Sequence, residues 1–264
     1  MAITEKITLL GKGYYKDIPD VLTLKSIPTS SELDYVSAED FQQTMLEKIL
    51  PQAVEEQINF KNLLDIDYQW ICRCLRLLNY GPYHTTNAIF CPKCGAVQGE
   101  YRVNLENVEC KPLPENFTND FVISRDEFID FTDDIHVHLL TVGEIRKLEA
   151  DKMFIDSNGE RNDELAYLCY MITQIGTRDR LTSVDTRSFI LDTLTPADYR
   201  VLKEVARNLT DFGLRVGGVC ACPKCGSTDS RFFALVDEKF FRPTLGDLRE
   251  WKNSRSARKD DDVQ

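Results

Sequence analysis

The chain has 264 residues, of which 42% are hydrophobic and 28% charged, and a formal net charge of -11 at pH 7. This composition supports a buried core and excludes global disorder, and the acidic balance argues against a protein whose main task is to bind phosphates. The opening MAITEKITLLGKG lacks a signal-peptide core, no apolar run approaches a membrane span, and nine cysteines without an export signal favour a reducing cytosol.

The first half of the chain predicts a strand, a set of helices and a hairpin, in that order. We expect a strand at residues 21–25, a Thr29-x-x-Glu32 capping box, and a helix over 38–56 that is interrupted near Pro51. A further helix begins near Asp67, because an acidic residue suits a helix N-terminus, and ends at Gly81. Strands at 88–90 and 101–105 then flank the motif CPKCG at 91–95.

The second half repeats this order. We expect a strand at 135–140, a capping box from Thr141 to Glu144, and a helix over 164–174. A helix from Asp198 ends at Gly213. Strands at 214–219 and 232–236 then flank a second CPKCG at 222–226.

An internal duplication explains the two halves. The two CPKCG strings superpose at an offset of 131 positions, at which Asp67-Tyr68 also meets Asp198-Tyr199 and Arg76 meets Arg207. We therefore predict a first repeat over 1–110, a connector over 111–134, a second repeat over 135–248, and a mobile tail over 249–264. The predicted fold class is α+β: two pseudo-repeats, each with a strand, helices and a CPKCG zinc-knuckle hairpin, joined through a split zinc ribbon.

The two CPKCG motifs predict a zinc site. In a zinc knuckle, proline and glycine shape a tight turn from which two cysteine thiolates converge, which is half of a tetrahedral four-cysteine shell. If the two repeats pack about a pseudo-twofold axis, the four ligands of one shared zinc ion are Cys91, Cys94, Cys222 and Cys225. Two separate sites, or no metal, are the alternatives. A separate first site could recruit Cys110 or His84, whereas Cys220 is the one nearby candidate for the second.

The other cysteines and histidines have simpler interpretations. Cys72 and Cys74 are two apart in a predicted helix and, like Cys169 in an apolar helix, are expected to fill the core. His136 and His138 alternate on one strand and share a face, which we expect to be exposed or packed in an interface rather than bound to metal.

The motifs favour a non-catalytic protein. The sequence has no phosphate-binding glycine loop, no GxSxG and no HExxH, and a closed four-cysteine site has no open coordination position for a substrate. The main alternative function is a zinc-ribbon protein that binds nucleic acid or assists transcription. Lys93 and Lys224 within the knuckles and Arg102 and Arg231 nearby favour it, whereas the acidic balance and the lack of a basic, aromatic-rich face argue against it.

The segment LLGKGYYKDIPDVLTLKSIPTSSEL resembles the opening of the baseplate hub proteins of T-even-like contractile-tailed phages. Asp67, Arg76 and the Tyr80-Gly81 turn before the first knuckle extend the resemblance, which covers about residues 8–105 and, more faintly, 135–236. It implies a hub subunit or hub assembly factor without catalytic activity. Its partners would be other baseplate, hub or tail-tube proteins in a symmetric oligomeric assembly, with no membrane. It would be found in the host cytoplasm during assembly and then in the virion tail baseplate.

Overall fold

The computed structural model describes residues 3–31, 38–86, 89–98, 101–215, 217–222, 224–228, 230–233 and 238–261. It is a mixed α+β protein with small antiparallel sheets and short to medium helices. The chain divides into two units: unit 1 comprises Met1–Ile58, Gln69–Pro112 and Gly213–Gln264, and unit 2 comprises Asn59–Tyr68 and Leu113–Phe212. None of the described helices has the length and apolar character needed to cross a bilayer.

Short strands dominate the part of unit 1 that carries the cysteine motifs. The strands within the described residues are β1 (Thr4–Thr8), β2 (Val21–Lys25), β3 (Tyr83–Thr86), β4 (Ile89–Phe90), β5 (Val97–Gln98), β6 (Tyr101–Asn104), β7 (Cys110–Lys111), β8 (Phe121–Ile123), β9 (Ile135–Val137), β10 (Ile172–Ile175), β11 (Gly213–Leu214), β12 (Gly217–Cys220) and β13 (Ser230–Phe233). Of these, β8, β9 and β10 form the sheet of unit 2, in the order β10-β9-β8. Unit 1 contains the pairs β1-β2, β3-β6 and β11-β7 and the four-stranded sheet β12-β13-β4-β5, which we name the cysteine sheet.

The helices have clear N-terminal signals. Their bounds are α1 (consecutive segments Phe41–Thr44, Met45–Ile49 and Leu50–Ala53), α2 (Asp65–Tyr80), α3 (Val142–Ala150), α4 (Asp163–Met171), α5 (Ser183–Asp192), α6 (Pro196–Leu209) and α7 (Leu245–Asp261). The predicted capping box at α3 is confirmed, since the Glu144 N–H donates to the Thr141 hydroxyl and the Thr141 N–H to the Glu144 carboxylate. The corresponding box at Thr29 involves Glu32, which lies outside the described residues.

The strand predicted at residues 21–25 is confirmed as β2. Its sequence alternates, and Leu22 and Leu24 are fully buried while Val21 is 44% exposed. This is the period-two pattern of a strand with one buried face. The strand predicted at 135–140 is shorter, because β9 ends at Val137.

The predicted interruption near Pro51 takes the form of a change of helix type, and the helix is shorter than predicted, from Phe41 to Ala53. Segment Met45–Ile49 of α1 is a π-helical turn, in which the Leu50 N–H donates to the Met45 carbonyl, and Pro51 occupies the first turn of the segment that follows. The missing proline N–H therefore falls where the hydrogen-bond register changes, and the helix continues to Ala53.

The predicted helix over 164–174 is too long. Helix α4 ends at Met171, and the chain turns directly into strand β10, which pairs with β9 through an irregular register between Ile172 and Gln174. Ile172 and Ile175 are both buried, and their spacing of three residues fits a helix face as well as a bulged strand. Pairing with the edge of β9 favours the strand over the helix at these residues.

A buried arginine organises the end of α2 in unit 1. Arg76 is fully buried and donates to three backbone carbonyls, from Nε to Phe240 at 2.7 Å, from Nη1 to Gly81 at 2.8 Å and from Nη2 to Tyr83 at 2.6 Å. Gly81 itself, at φ +75°, ends the helix as predicted.

The C-terminal segment predicted as a mobile tail is helical through Asp261. Helix α7 begins with the capping residue Thr244, whose N–H and hydroxyl both contact the Asp247 carboxylate at 2.9 Å. Asp247 is 1% exposed and also accepts from the Thr85 hydroxyl, and the Trp251 ring lies directly over Gly81. The start of the segment is thus held on the β3–β6 hairpin by contacts that its low apolar content does not reveal.

Unit 2 is organised around a continuous apolar core. The core takes side chains from all three strands of its sheet and from α3 to α6, among them Val137, Leu148, Leu168 and Leu202. Part of the predicted connector contributes to this core, because β8 pairs with β9 and Ile123 is fully buried. The predicted repeat boundaries concern an internal duplication, which stays a prediction.

Candidate metal centre

Two hairpins of unit 1 bring the cysteine motifs together. The first motif connects β4 to β5, and the second lies between β12 and β13. The hairpins share one sheet because β13 pairs with β4, in a register that places Arg231 opposite Phe90 and Phe232 opposite Ile89. Antiparallel pairing between the two hairpins therefore brings residues 131 positions apart to the same end of the cysteine sheet.

The two CPKCG turns have the same hydrogen-bond pattern. In the first, the Cys91 N–H donates to the Ala96 carbonyl at 3.0 Å and the Gly95 N–H donates to the Cys91 carbonyl at 2.9 Å. In the second, Cys222 donates to Ser227 at 2.7 Å and Gly226 to Cys222 at 2.8 Å. Both glycines are in the left-handed region, at φ +65° and +70°, which explains why glycine follows the second cysteine.

The four predicted cysteine ligands form one cluster. The Sγ atoms of Cys91, Cys94, Cys222 and Cys225 all lie within 4.8 Å of one another, with Cys91 and Cys225 3.6 Å apart and Cys94 and Cys222 3.9 Å apart. The first cysteine of each turn is buried and the second is exposed. Within the described ranges, no other group of three or more His, Cys, Asp or Glu side chains is spaced to hold a metal ion.

The cluster perturbs the ionisation of its own thiols. Burial disfavours the Cys222 thiolate, but the backbone N–H groups of Cys225 and Lys224 stabilise it, so that the pKa of Cys222 lies below its ordinary value of 9.0. The Ser227 N–H favours the Cys225 thiolate, whereas burial and hydrogen bonds to the neighbouring thiols raise the pKa of Cys225 to about 11. Because metals bind the thiolate, metal binding must displace a proton from Cys225 near neutral pH.

The alternative ligands lie outside this cluster. The backbone of Cys110 pairs with Leu214 between β7 and β11, and the buried ring of His84 packs against Phe240 with 5.3 Å between ring centroids. Neither Cys110 nor His84 belongs to the group of four side chains that could hold a metal ion. The side chain of Cys220 lies outside the described residues.

The remaining cysteines are buried thiols, as predicted. Cys72, Cys74 and Cys169 are 0%, 4% and 2% exposed. Burial raises the pKa of Cys74 to about 12 and that of Cys169 to about 11, so both stay protonated and apolar in character at neutral pH.

The two histidines of the β9 segment have separate protein partners. His136 Nδ1 lies 2.9 Å from a carboxylate oxygen of Asp120, and His138 Nε2 lies 3.1 Å from the Tyr170 carbonyl. Both side chains are partly exposed, at 24% and 18%. They do not converge on a common ligand position.

Several residues that support the β3–β6 hairpin were missed at the sequence level. Arg102 on β6 pairs with Asp247 at 3.3 Å and Glu250 at 3.4 Å, and Asp247 also accepts from Thr85 on β3. The Thr244-x-x-Asp247 spacing is a recognisable helix-start signal, but its connection to a hairpin more than 140 positions earlier has no sequence signal.

No protein-family model, curated protein or solved structure matches this chain. Evidence for function therefore comes from the geometry of its own residues. That geometry is a four-cysteine cluster that can hold a metal ion such as zinc.

Proposed function

We propose that this protein is a zinc-stabilised, non-catalytic structural component of a larger assembly, and that this assembly is the hub region of a contractile phage tail baseplate. The observation that carries the proposal is the convergence of the four cysteine sulfurs from two turns that are distant in sequence. The resemblance of residues 9–33 to baseplate hub proteins supplies the particular assembly.

The sulfur positions support zinc as the ion. Zinc–sulfur bonds of about 2.3 Å in tetrahedral geometry place neighbouring sulfurs about 3.8 Å apart. The distances of 3.6 Å and 3.9 Å between the turns lie close to this edge length. Four thiolates with no oxygen ligand favour zinc over magnesium or calcium, which prefer oxygen donors.

The site's position in the fold supports a structural role. One ion bound by Cys91, Cys94, Cys222 and Cys225 would join two hairpins whose mutual pairing within the described strands extends over two residue pairs. All four zinc positions would be filled by protein ligands, so no position would remain for a substrate or a water nucleophile. Zinc would supply cross-linking energy rather than Lewis-acid chemistry.

Metal analysis of variants tests the shared zinc site. The purified, reduced protein is expected to contain one zinc ion per chain, and Cys91→Ser and Cys222→Ser are each expected to abolish it. Cys110→Ser is the matched control, because it removes a partly exposed thiol of unit 1 outside the cluster and should retain the ion. Two ions, with one lost in each cluster variant, would overturn the shared site.

Co-expression with baseplate proteins tests the assembly role. We expect the chain to co-purify with hub or tail-tube subunits of a contractile tail, without DNA. Retention of a fluorescent DNA duplex at moderate salt, with no retention of hub or tube subunits, would instead support the nucleic-acid alternative.

A further inference from the structure

The cysteine cluster contains two thiol pairs that bridge the hairpins. Cys91 Sγ lies 3.6 Å from Cys225 Sγ, and Cys94 Sγ lies 3.9 Å from Cys222 Sγ. Each pair joins one exposed thiol to one buried thiol. A small oxidant can therefore reach the exposed thiol of each pair, and the buried thiol lies close enough to react with the oxidised sulfur.

We propose that the cluster is a redox-sensitive link, in which peroxide converts the metal-bound thiolates into two disulfides between the turns, Cys91–Cys225 and Cys94–Cys222, and releases the ion. This inference rests on the proposed zinc site for the release of the ion. The two hairpins remain connected in both states, first through the metal and then through covalent bonds.

The oxidation is balanced with peroxide as the oxidant. The exposed Cys94 thiolate attacks one peroxide oxygen, the O–O bond breaks, and sulfenic acid and hydroxide form. The buried Cys222 thiolate then attacks the sulfenic sulfur, the S–S bond forms, and the hydroxide that leaves takes up a proton. Each disulfide consumes one peroxide and two thiolates, and yields two waters after two protons are taken up. The zinc ion keeps its charge and leaves because disulfide sulfur is a poor ligand.

The sulfur positions favour disulfides between the turns over disulfides within them. The Cys91–Cys225 and Cys94–Cys222 sulfur pairs are 3.6 Å and 3.9 Å apart, in a cluster whose four sulfurs lie within 4.8 Å of one another. A bond between turns has to draw the sulfurs from 3.6 Å or 3.9 Å to about 2.05 Å, which needs side-chain rotation and a small shift of one hairpin.

Peroxide titration of the full-length zinc protein tests this inference. We expect zinc release, followed with a chromogenic chelator, to require one peroxide per disulfide formed. Digestion without reductant should give peptides linked between Cys91 and Cys225 and between Cys94 and Cys222. Reductant with added zinc should restore the starting state. Disulfides within the turns, or zinc release without disulfides, would overturn the proposal.

Paired variants separate this inference from the metal site. Cys94→Ser with Cys222→Ser leaves Cys91 and Cys225, and is expected to form one disulfide under peroxide. Cys222→Ser with Cys225→Ser leaves the two cysteines of the first turn, and is expected to form none.

If the zinc analysis fails but the pairing follows this pattern in the full chain, the metal site is wrong and the disulfide pairing stands. If zinc is bound but the pattern is reversed, the redox inference alone is wrong. Should the paired variants not fold, peptide mapping of the unmutated protein decides the pairing.

Discussion

The cysteine sheet of unit 1 and the core of unit 2 are built on different physical principles. In the cysteine sheet, β4 and β5 have two residues each and β12 and β13 four each, and four thiols gather at one end. In unit 2, a continuous apolar core joins a three-stranded sheet to four helices. Isolated strands this short are marginally stable, so we expect the proposed metal cross-link to matter more for the cysteine sheet than for the helical core.

Removal of the metal is expected to have the largest effect and to separate the two regions. Structural zinc contributes on the order of 10 kcal/mol to folding in small zinc-binding peptides. We therefore expect a chelator, under reducing conditions, to abolish hydrogen-exchange protection in the cysteine sheet while the amides of unit 2 remain protected. Equal loss of hydrogen-exchange protection in both regions would mean that the metal does not stabilise the cysteine sheet more than it stabilises unit 2.

A cavity in the unit 2 core tests whether unit 2 can be destabilised without loss of metal from the cysteine sheet. Leu202 on α6 is fully buried, and Leu202→Ala is expected to lower the free energy of unfolding of unit 2 by about 2–5 kcal/mol. Leu191→Ala, at a position 52% exposed, is the control and should change it by less than about 0.5 kcal/mol. Denaturant unfolding gives these values, and metal content should be unchanged in both variants. Loss of the metal in Leu202→Ala would contradict the independence of the two regions.

A smaller effect is expected where Trp251 packs on Gly81. An added Cβ at Gly81 would lie 2.4 Å from Trp251 Cγ, on a residue with φ +75°. Gly81→Ala should cost about 2 kcal/mol from the unfavourable φ and the displaced ring. Gly13→Ala, at φ +78° with nothing within 4 Å of the new Cβ, isolates the backbone part.

The double variant Gly81→Ala with Trp251→Ala measures the coupling of the two residues in thermal unfolding. We expect it to be less destabilised than the sum of the single variants, because the clash is absent. Strict additivity would mean that α7 does not rest on this glycine.

The smallest predicted effect is a pH dependence in unit 2. Burial opposes ionisation of Asp198, but N–H groups of Ile129, Asp130 and Phe131 and the Thr195 hydroxyl stabilise the carboxylate, and its pKa lies below the ordinary 3.8. A carboxyl with a depressed folded pKa binds protons more weakly in the folded state. Its stabilising contribution is therefore complete above pH 3.8 and is lost as pH falls through the folded pKa.

Asp198→Asn is accordingly expected to lower the stability of unit 2 at neutral pH and to flatten its decline below about pH 4. Hydrogen exchange at unit 2 amides measures both quantities. Asp192→Asn, on the exposed end of α5, is the matched control for removal of a carboxylate. An unchanged acid profile in Asp198→Asn would show that the hydrogen bonds to Asp198 do not stabilise its charged form.

Local signals in the sequence identified most of the elements but not all their limits. Alternating leucines marked β2, and Thr141 with Glu144 marked the start of α3, because both signals act over a few residues. The end of α4 depended on pairing with β9, which no local pattern encodes. The equivalent arginines of the proposed repeats show the same limit. Arg76 is fully buried against three carbonyls, whereas Arg207 is 70% exposed and pairs with Glu204.

The sequence by itself determined the four cysteines and their tight turns, because proline, glycine and a two-residue spacing restrict the backbone within each motif. The tertiary structure alone decided that both turns share one cluster, since the pairing of β13 with β4 is a long-range contact. It also decided that α7 packs on the β3–β6 hairpin, because burial of Asp247 and placement of Trp251 over Gly81 depend on surfaces that form only after the chain has folded.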